Sequence, residues 1–256
     1  MLRIASAAVS HPGLRREQNE DAYCMRPDLG LYLVADGMGG HAAGEVASRL
    51  AVDTIEDFIE RTQPPNDAFE WPQAYDPAQG VDENRLRMAF NLANRRLAEA
   101  AAANSALRGM ATTASAALVG DDTIVIAHVG DSRIYRWRAG ALKQLTIDHS
   151  WVGDRVRAGI LTESDARQHP WRNVVTRALA GGDDPQVDIS MLDVQAGDRL
   201  ILCSDGLSGV VSQESVEELL GEERSLESTC HALVDAANAA GGPDNITVAI
   251  LKADVA

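Results

Sequence analysis

The chain has 256 residues, 45% of them hydrophobic and 24% charged, with a formal net charge of −15. That length suits one domain with a substantial core, and the charge argues against a nucleic-acid backbone or an anionic membrane surface as the main partner. Only two lysines occur, Lys143 and Lys252, and neither precedes Ser or Thr, so there is no Walker-type phosphate loop.

In chain order, residues 3–10 and 22–26 read as short strands and 31–35 as a buried one. The strand Leu31-Tyr-Leu-Val-Ala stops at Asp36, and a glycine-rich run, "DGMGGHAAGE", follows it. From Ala42 to Arg61 the apolar positions Val46, Leu50, Ile55, Phe58 and Ile59 recur at helical spacing. A second amphipathic helix is predicted from Asp82 to about Asn104, with Leu86, Phe90, Ala93 and Leu97 on one stripe. Residues 62–81 between them hold Pro64, Pro65, Pro72 and Pro77 and read as a surface insert, because the flanking helices need a shared core.

The middle of the chain is β-rich. "TTASAALVG", "DDTIVIAHVG" and "SRIYRWRAGALKQL" follow one another with tight Gly/Asp turns, and turns this short predict antiparallel neighbours, not a doubly wound sheet. Residues 148–185 read as short helices and loop. A strand at 198–204, helices at 213–220 and about 225–240, and a last strand at 245–253 complete the pattern. The predicted class is α+β, antiparallel sheets covered by helices, in a single domain over 1–256.

Four acids share one context. Asp36, Asp131 and Asp205 each end an apolar strand, and Asp244 opens one after "GGP". A single acid of this kind is ordinary turn chemistry. Four of them, on strands that share a core, are more economically read as carboxylates meeting at one edge. Such a group repels itself and needs cations, and oxygen-only ligands favour Mg²⁺, Mn²⁺ or Ca²⁺ over Zn²⁺. The segment "RREQNED" adds Arg15 and Arg16, planar donors suited to phosphate oxygens, beside Glu20 and Asp21. His128 alternates inside a strand and reads as a packed histidine. The adjacent Asp148, His149 and Ser150 cannot form a hydrolase triad. The three distant cysteines, Cys24, Cys203 and Cys230, read as free thiols of a reducing compartment. No apolar run is long enough to span a membrane, so the expectation is a cytoplasmic protein.

Through these motifs the chain resembles the bacterial metal-dependent serine/threonine protein phosphatases of the protein phosphatase 2C type. The resemblance is carried, in order, by "RREQNEDA", "VADGMGGHAAGE", "GMATT", "AHVGDSRIYR", "LTIDHSWV", "HPWRNVVTRAL", "GDRLILCSDGL" and "GGPDNITV". It implies a central antiparallel β-sandwich flanked by helices on both faces, four layers in all. It implies hydrolysis of phosphoserine and phosphothreonine by direct attack of a hydroxide bridging two Mn²⁺ or Mg²⁺ ions, with a weaker third ion. It implies phosphoprotein substrates, including a serine/threonine kinase, and a monomer.

By match, Asp36 bridges the core metals with the Gly37 carbonyl on one of them, Asp205 and Asp244 hold the other, and Glu20 and Asp21 support directly or through water. Asp131, with Asp205, matches the third-metal position. Arg16 matches the phosphate-binding arginine, with Arg15 as a one-residue alternative, and 148–185 matches a flap beside the site. Met38 stands where many non-bacterial members carry a histidine proposed as general acid, and His41 comes three residues later, so the proton donor stays open. Two rival readings remain: a catalytically silent phosphoprotein sensor on the same scaffold, which would be expected to lack metal acids, and a calcium-stabilised β protein, which leaves Arg16 unexplained.

Overall fold

The computed structural model describes residues 2–39, 43–63, 75–120 and 123–255. Its elements are β1 (Leu2–His11), β2 (Asp21–Arg26), β3 (Leu31–Met38), α1 (Ala43–Arg61), α2 (Val81–Ala103), β4 (Ala111–Thr112), β5 (Ala114–Val119), β6 (Ile124–Val129), β7 (Arg133–Arg138) and β8 (Ala141–Gln144). There follow α3 (Trp151–Arg157), α4 (Glu163–Gln168), β9 (Asp188–Leu192), β10 (Arg199–Cys203), α5 (Asp205–Ser208), α6 (Gln213–Gly221), α7 (Leu226–Ala239) and β11 (Ile246–Val255). One sheet has the order β1-β11-β10-β7-β8 and the other β2-β3-β5-β6-β9, with β4 paired to β3. Every pairing is antiparallel.

Alternation along the strands separates the apolar side chains into layers. Tyr32, Val34, Ile126, Ile134, Leu200, Leu202, Ala249 and Leu251 meet between the two sheets. Leu31, Leu33 and Ala35 face the other way and pack with Ile55, Phe58, Leu86 and Phe90 of α1 and α2. Ile201, Cys203, Val248 and Ile250 pack against Leu220, Cys230, Leu233 and Val234 of α6 and α7. Three apolar layers between four structural layers give the α-β-β-α sandwich. Each fully buried Leu, Ile or Phe in them contributes roughly 1.5–3 kcal/mol of transfer free energy.

Local chemistry closes the helices as the sequence rules lead one to expect. Ser150, Thr162, Ser212 and Ser225 each accept an amide from the third helical residue of α3, α4, α6 and α7. Arg85 of α2 donates to the Ile59 carbonyl and to Thr62 Oγ1, satisfying the C-terminus of α1 from a buried position. Within the predicted insert, residues 64–74 lie outside those described. Its C-terminal end is tied to α2, where the Asn84 amide exchanges hydrogen bonds with both backbone groups of Asp76.

Three of the departures from the sequence reading shape the sheets. The strand predicted at 31–35 continues to Met38, so Asp36 lies inside β3; Gly37 and Met38 pair with β4. Strand β9 was not anticipated: it is a half-exposed edge with Met191 in solvent, and its alternation is weak. The tight turn at 130–132 does not make a hairpin. β6 belongs to one sheet and β7 to the other, so this turn crosses the sandwich. Gly130 permits it with φ +114°, and a Cβ there would lie 2.5 Å from the Thr113 Cβ.

Candidate metal and phosphate site

The acids gather at one end of the sandwich, where both sheets stop. From one sheet come Asp21, first residue of β2, and Asp36 of β3, directly opposite each other in register. From the other come Asp205, just beyond β10, and Asp244, two residues before β11. Asp131 sits on the crossing between sheets.

Backbone contacts fix each acid in place. The Asp36 amide donates to Thr113 Oγ1 (3.0 Å), while its carbonyl accepts from the Thr112 hydroxyl and the Thr113 amide (2.9 Å each). Thr113 Oγ1 also bonds Ser132 Oγ at 2.7 Å, linking the Asp36 strand to the Asp131 turn. At Gly37 a Cβ would stand 2.1 Å from the Gly44 carbonyl and 2.6 Å from that of Glu20, so the Asp-Gly pair is required by close backbone approach. Gly206 is equally constrained, 1.9 Å from the Asn245 carbonyl. Asp21 Oδ2 accepts from Ser204 Oγ (2.8 Å) and Thr247 Oγ1 (2.6 Å), which pins β2 to the opposite sheet. Asp21 Oδ1 is buried without a hydrogen-bond partner.

The electrostatics carry the mark of uncompensated charge. Burial raises the Asp21 carboxyl to about 7, with repulsion from Asp205 and Asp244 adding to it. Burial raises Asp131 to about 8, reinforced by Asp205, and Asp205 to about 6, reinforced by Asp244. Asp36 is pushed well above the ordinary carboxylate range by burial and then by Asp21, Asp205, Asp131 and Asp244. Glu20 is raised mainly by burial, and its carboxylate lies against Gly44 at the start of α1.

Arg16 Nη2 donates to Asp244 Oδ2 at 2.7 Å, and this bond is the chief reason that its guanidinium pKa is raised. Arg16, Asp131, Asp205 and Asp244 together line a cleft of about 640 Å³ that runs out between α5 and the flap helices α3 and α4. Arg15 does not line it.

These residues fit divalent cations: the donors are all oxygens, they repel one another in a buried place, and one carboxylate oxygen lacks any partner. Among the described residues no three His, Cys, Asp or Glu side chains already close into a cage. Asp21 Oδ2 is turned onto two hydroxyls and Asp244 Oδ2 onto Arg16, which leaves Asp21 Oδ1 free. His41 lies outside the described residues. Met38 is in β3.

Sequence reasoning missed several residues that build the site. Asn245 receives the Glu20 amide on Oδ1 (2.8 Å) and donates from Nδ2 to the carbonyls of Pro12 (3.0 Å) and Gln18 (2.8 Å), so it holds the Arg16 loop on the Asp244 turn. Arg133 makes a paired contact with Asp148 (2.9 and 2.6 Å) and donates to Tyr135 Oη (2.9 Å), closing the cleft wall. The signal was present only as a polar residue beside a motif acid. His128 is the packed histidine expected, between Ser115 Oγ (2.9 Å) and the Ile147 carbonyl (3.1 Å), and burial holds its pKa down at about 4. In the flap, Arg155 lies over the Trp151 ring, Arg157 pairs with Asp154, and Trp171 meets Trp151 edge-on at 4.7 Å with half its surface in solvent.

A four-layer sandwich with an acid-lined end, an arginine on the cleft wall and no candidate covalent nucleophile among its buried cysteines defines a metal-dependent hydrolase of phosphate esters. The family model described as protein phosphatase 2C matches residues 15–247. A serine/threonine phosphatase, stp, of Listeria monocytogenes is 37% identical over 246 residues, covering 95% of this chain and 93% of that one. The crystal structure of the Mycobacterium tuberculosis serine/threonine phosphatase PstP/Ppp superposes with a TM-score of 0.85 at 35% identity over 98% of this chain and 99% of that one. A PstP catalytic domain in complex with two manganese ions gives a TM-score of 0.85 at 34% identity, covering 100% of both chains. The chain belongs to the protein phosphatase 2C family, and it is a metal-dependent protein-serine/threonine phosphatase.

Proposed function

We propose that Asp36, the Gly37 carbonyl, Asp205 and Asp244 hold two core Mn²⁺ or Mg²⁺ ions with Glu20 and Asp21 supporting them directly or through water, and that Asp131 with Asp205 holds a third, weaker one. The observation that carries this reading is the gathering of Asp21, Asp36, Asp131 and Asp205 at one end of the sandwich, where the carboxyl of each is raised first by burial and then by neighbouring carboxylates. When bound, the cations acidify water and offset the charge of the phosphoryl oxygens. The manganese-bound relative supports the core pair, and a site with fewer protein carboxylates binds more weakly, which supports the ranking of the third.

The chain's own residues do the rest. Arg16, now on Asp244 at the cleft wall, donates to a non-bridging phosphate oxygen and orients the ester. Thr113, Ser132 and Asn245 hold the Asp36, Asp131 and Asp244 turns so that little reorganisation accompanies binding.

The whole of 1–256 works as one catalytic domain, since the three apolar layers of the described residues are closed by elements of the same chain; the same closure favours a monomer. The substrates are phosphoproteins, and a serine/threonine kinase supplies them and is itself among them. Three buried free cysteines fit a cytoplasmic setting; among the described residues no helix is long and apolar enough to cross a membrane. The test is phosphopeptide hydrolysis with added Mn²⁺, with chelator, and by Arg16→Ala. Unchanged turnover after metal removal refutes the metal assignment.

A further inference from the structure

We infer that His149 is a positioning residue for the Asp131 turn, because it clasps both backbone groups of Gly130, the residue immediately before Asp131. The inference rests on the proposed role of Asp131 at the third cation. The His149 amide donates to the Gly130 carbonyl at 2.7 Å, and the Gly130 amide donates to His149 Nδ1 at 3.1 Å. Behind Gly130 stands Thr113, whose side chain leaves no room for a Cβ, and beyond Asp131 the Ser132 hydroxyl is bonded to Thr113. Asp131 is therefore held from both sides, by His149 through Gly130 and by Thr113 through Ser132.

The hydrogen bonds fix the state of the ring. Nδ1 accepts an amide, so Nε2 carries the proton and donates to Asp188 Oδ2 at 2.9 Å. The ring is neutral and almost wholly buried. Asp188 opens β9, and its Oδ1 accepts from Arg177 at 3.2 Å. The His149 carbonyl accepts the Thr176 amide at 2.8 Å. The entry of the flap (His149), its return (Thr176, on the His149 carbonyl) and the strand after it (Asp188, on the ring, with Arg177 on its other oxygen) thus meet around one residue, whose ring also holds the turn bearing Asp131. A shift of the flap base is transmitted to the rim cation through Gly130. A histidine that merely filled space would be replaceable by leucine without effect on that cation.

The experiment is Mn²⁺ titration calorimetry of the full chain after chelation, for wild type, Asp131→Ala, His149→Leu, His149→Asn and Asp188→Ala, with amide hydrogen exchange at Gly130 in the metal-free state. Asn keeps an acceptor near the Nδ1 position; Leu has none. His149→Leu should weaken the rim ion by about tenfold or more, leave the core ions within about threefold, and speed Gly130 exchange. His149→Asn should stay near wild type in all three, and Asp188→Ala, which loosens the ring and releases Arg177, should weaken the rim ion by about threefold. Wild-type titration and Gly130 protection in a less stable His149→Leu would overturn the inference and leave His149 as packing. Should His149→Leu not fold, the other two variants decide: rim affinity kept in His149→Asn and weakened in Asp188→Ala supports the clasp, and any other combination overturns it. Full stoichiometry in Asp131→Ala identifies the third-cation reading as the failure, without recourse to any His149 variant, and the inference falls with it.

Discussion

The acid end of the sandwich and the flap lie on opposite walls of one cleft, and they handle charge in opposite ways. At the acid end, carboxylates are buried and repel one another, and strand pairing and hydroxyl bonds prevent them from moving apart. In the flap, charges are answered locally: Arg157 by Asp154, Arg167 by Glu163, Arg155 by the face of Trp151, Arg177 by Asp188. The first arrangement stores unfavourable electrostatic energy that cations release on binding. The second stores little, because exposed pairs contribute little either way. The acids are held by paired strands of both sheets, whereas the flap is built of short helices and loops, the kind of segment that carries variable contacts in proteins generally.

The sharpest test of that contrast is at the acids themselves. Asp36→Asn and Asp205→Asn should each lower turnover by at least about two orders of magnitude at saturating Mn²⁺ while the chain stays folded, since each removes both a ligand and a repelling charge. Near wild-type turnover in either, with metal content counted in parallel, would break the binuclear assignment.

Arg16→Ala should raise KM for p-nitrophenyl phosphate roughly tenfold or more, the size of a lost charge-assisted hydrogen bond. Because the substitution also releases Asp244 and removes a positive charge, Mn²⁺ should bind as tightly as before or tighter. If Arg15→Ala gives the KM effect instead, the phosphate assignment is one residue out.

Stability against pH separates the two regions without mutation. Carboxyls raised to about 6, 7 and 8 at Asp205, Asp21 and Asp131 favour the folded state most below their unfolded value near 4, and that contribution is lost as pH rises through the raised values. His128, lowered to about 4, acts in the opposite sense: its contribution is complete above about 6.5 and fades as pH falls below that. Between pH 6.5 and 8 only the acids act, so metal-free protein should melt at a lower temperature at pH 8.0 than at 6.5. Manganese-loaded protein should show a much smaller difference. A metal-free Tm that is flat or rises over this interval contradicts the mutual repulsion.

The smallest effect belongs to the flap. Arg157→Ala removes one half-exposed pair and should change stability by no more than about 0.5 kcal/mol and phosphopeptide kcat/KM by less than about threefold. A selective loss on phosphopeptide, with p-nitrophenyl phosphate turnover intact, would show that Arg157 leaves Asp154 to read substrate.

The sequence by itself determined the long helices, most of the strands and the identity of the acids, and left β9 and the end of β3 unread. Apolar alternation in 31–35 and 198–204 and the helical stripe of 82–104 reflect burial on one face, and that signal is local. An acid at a strand end next to glycine is likewise visible without any partner. Only the tertiary structure decided which strands share a sheet. The short turn at Gly130 reads as a hairpin, yet it crosses between sheets and carries Asp131 to the rim, because Thr113 and His149 hold it from residues far along the chain. The same holds for Asn245, whose three backbone partners lie more than two hundred residues away. Side-chain periodicity encodes which face a residue buries, whereas hydrogen bonds between distant loops leave no periodic trace, so the residues that aim the acids emerged only from the folded chain.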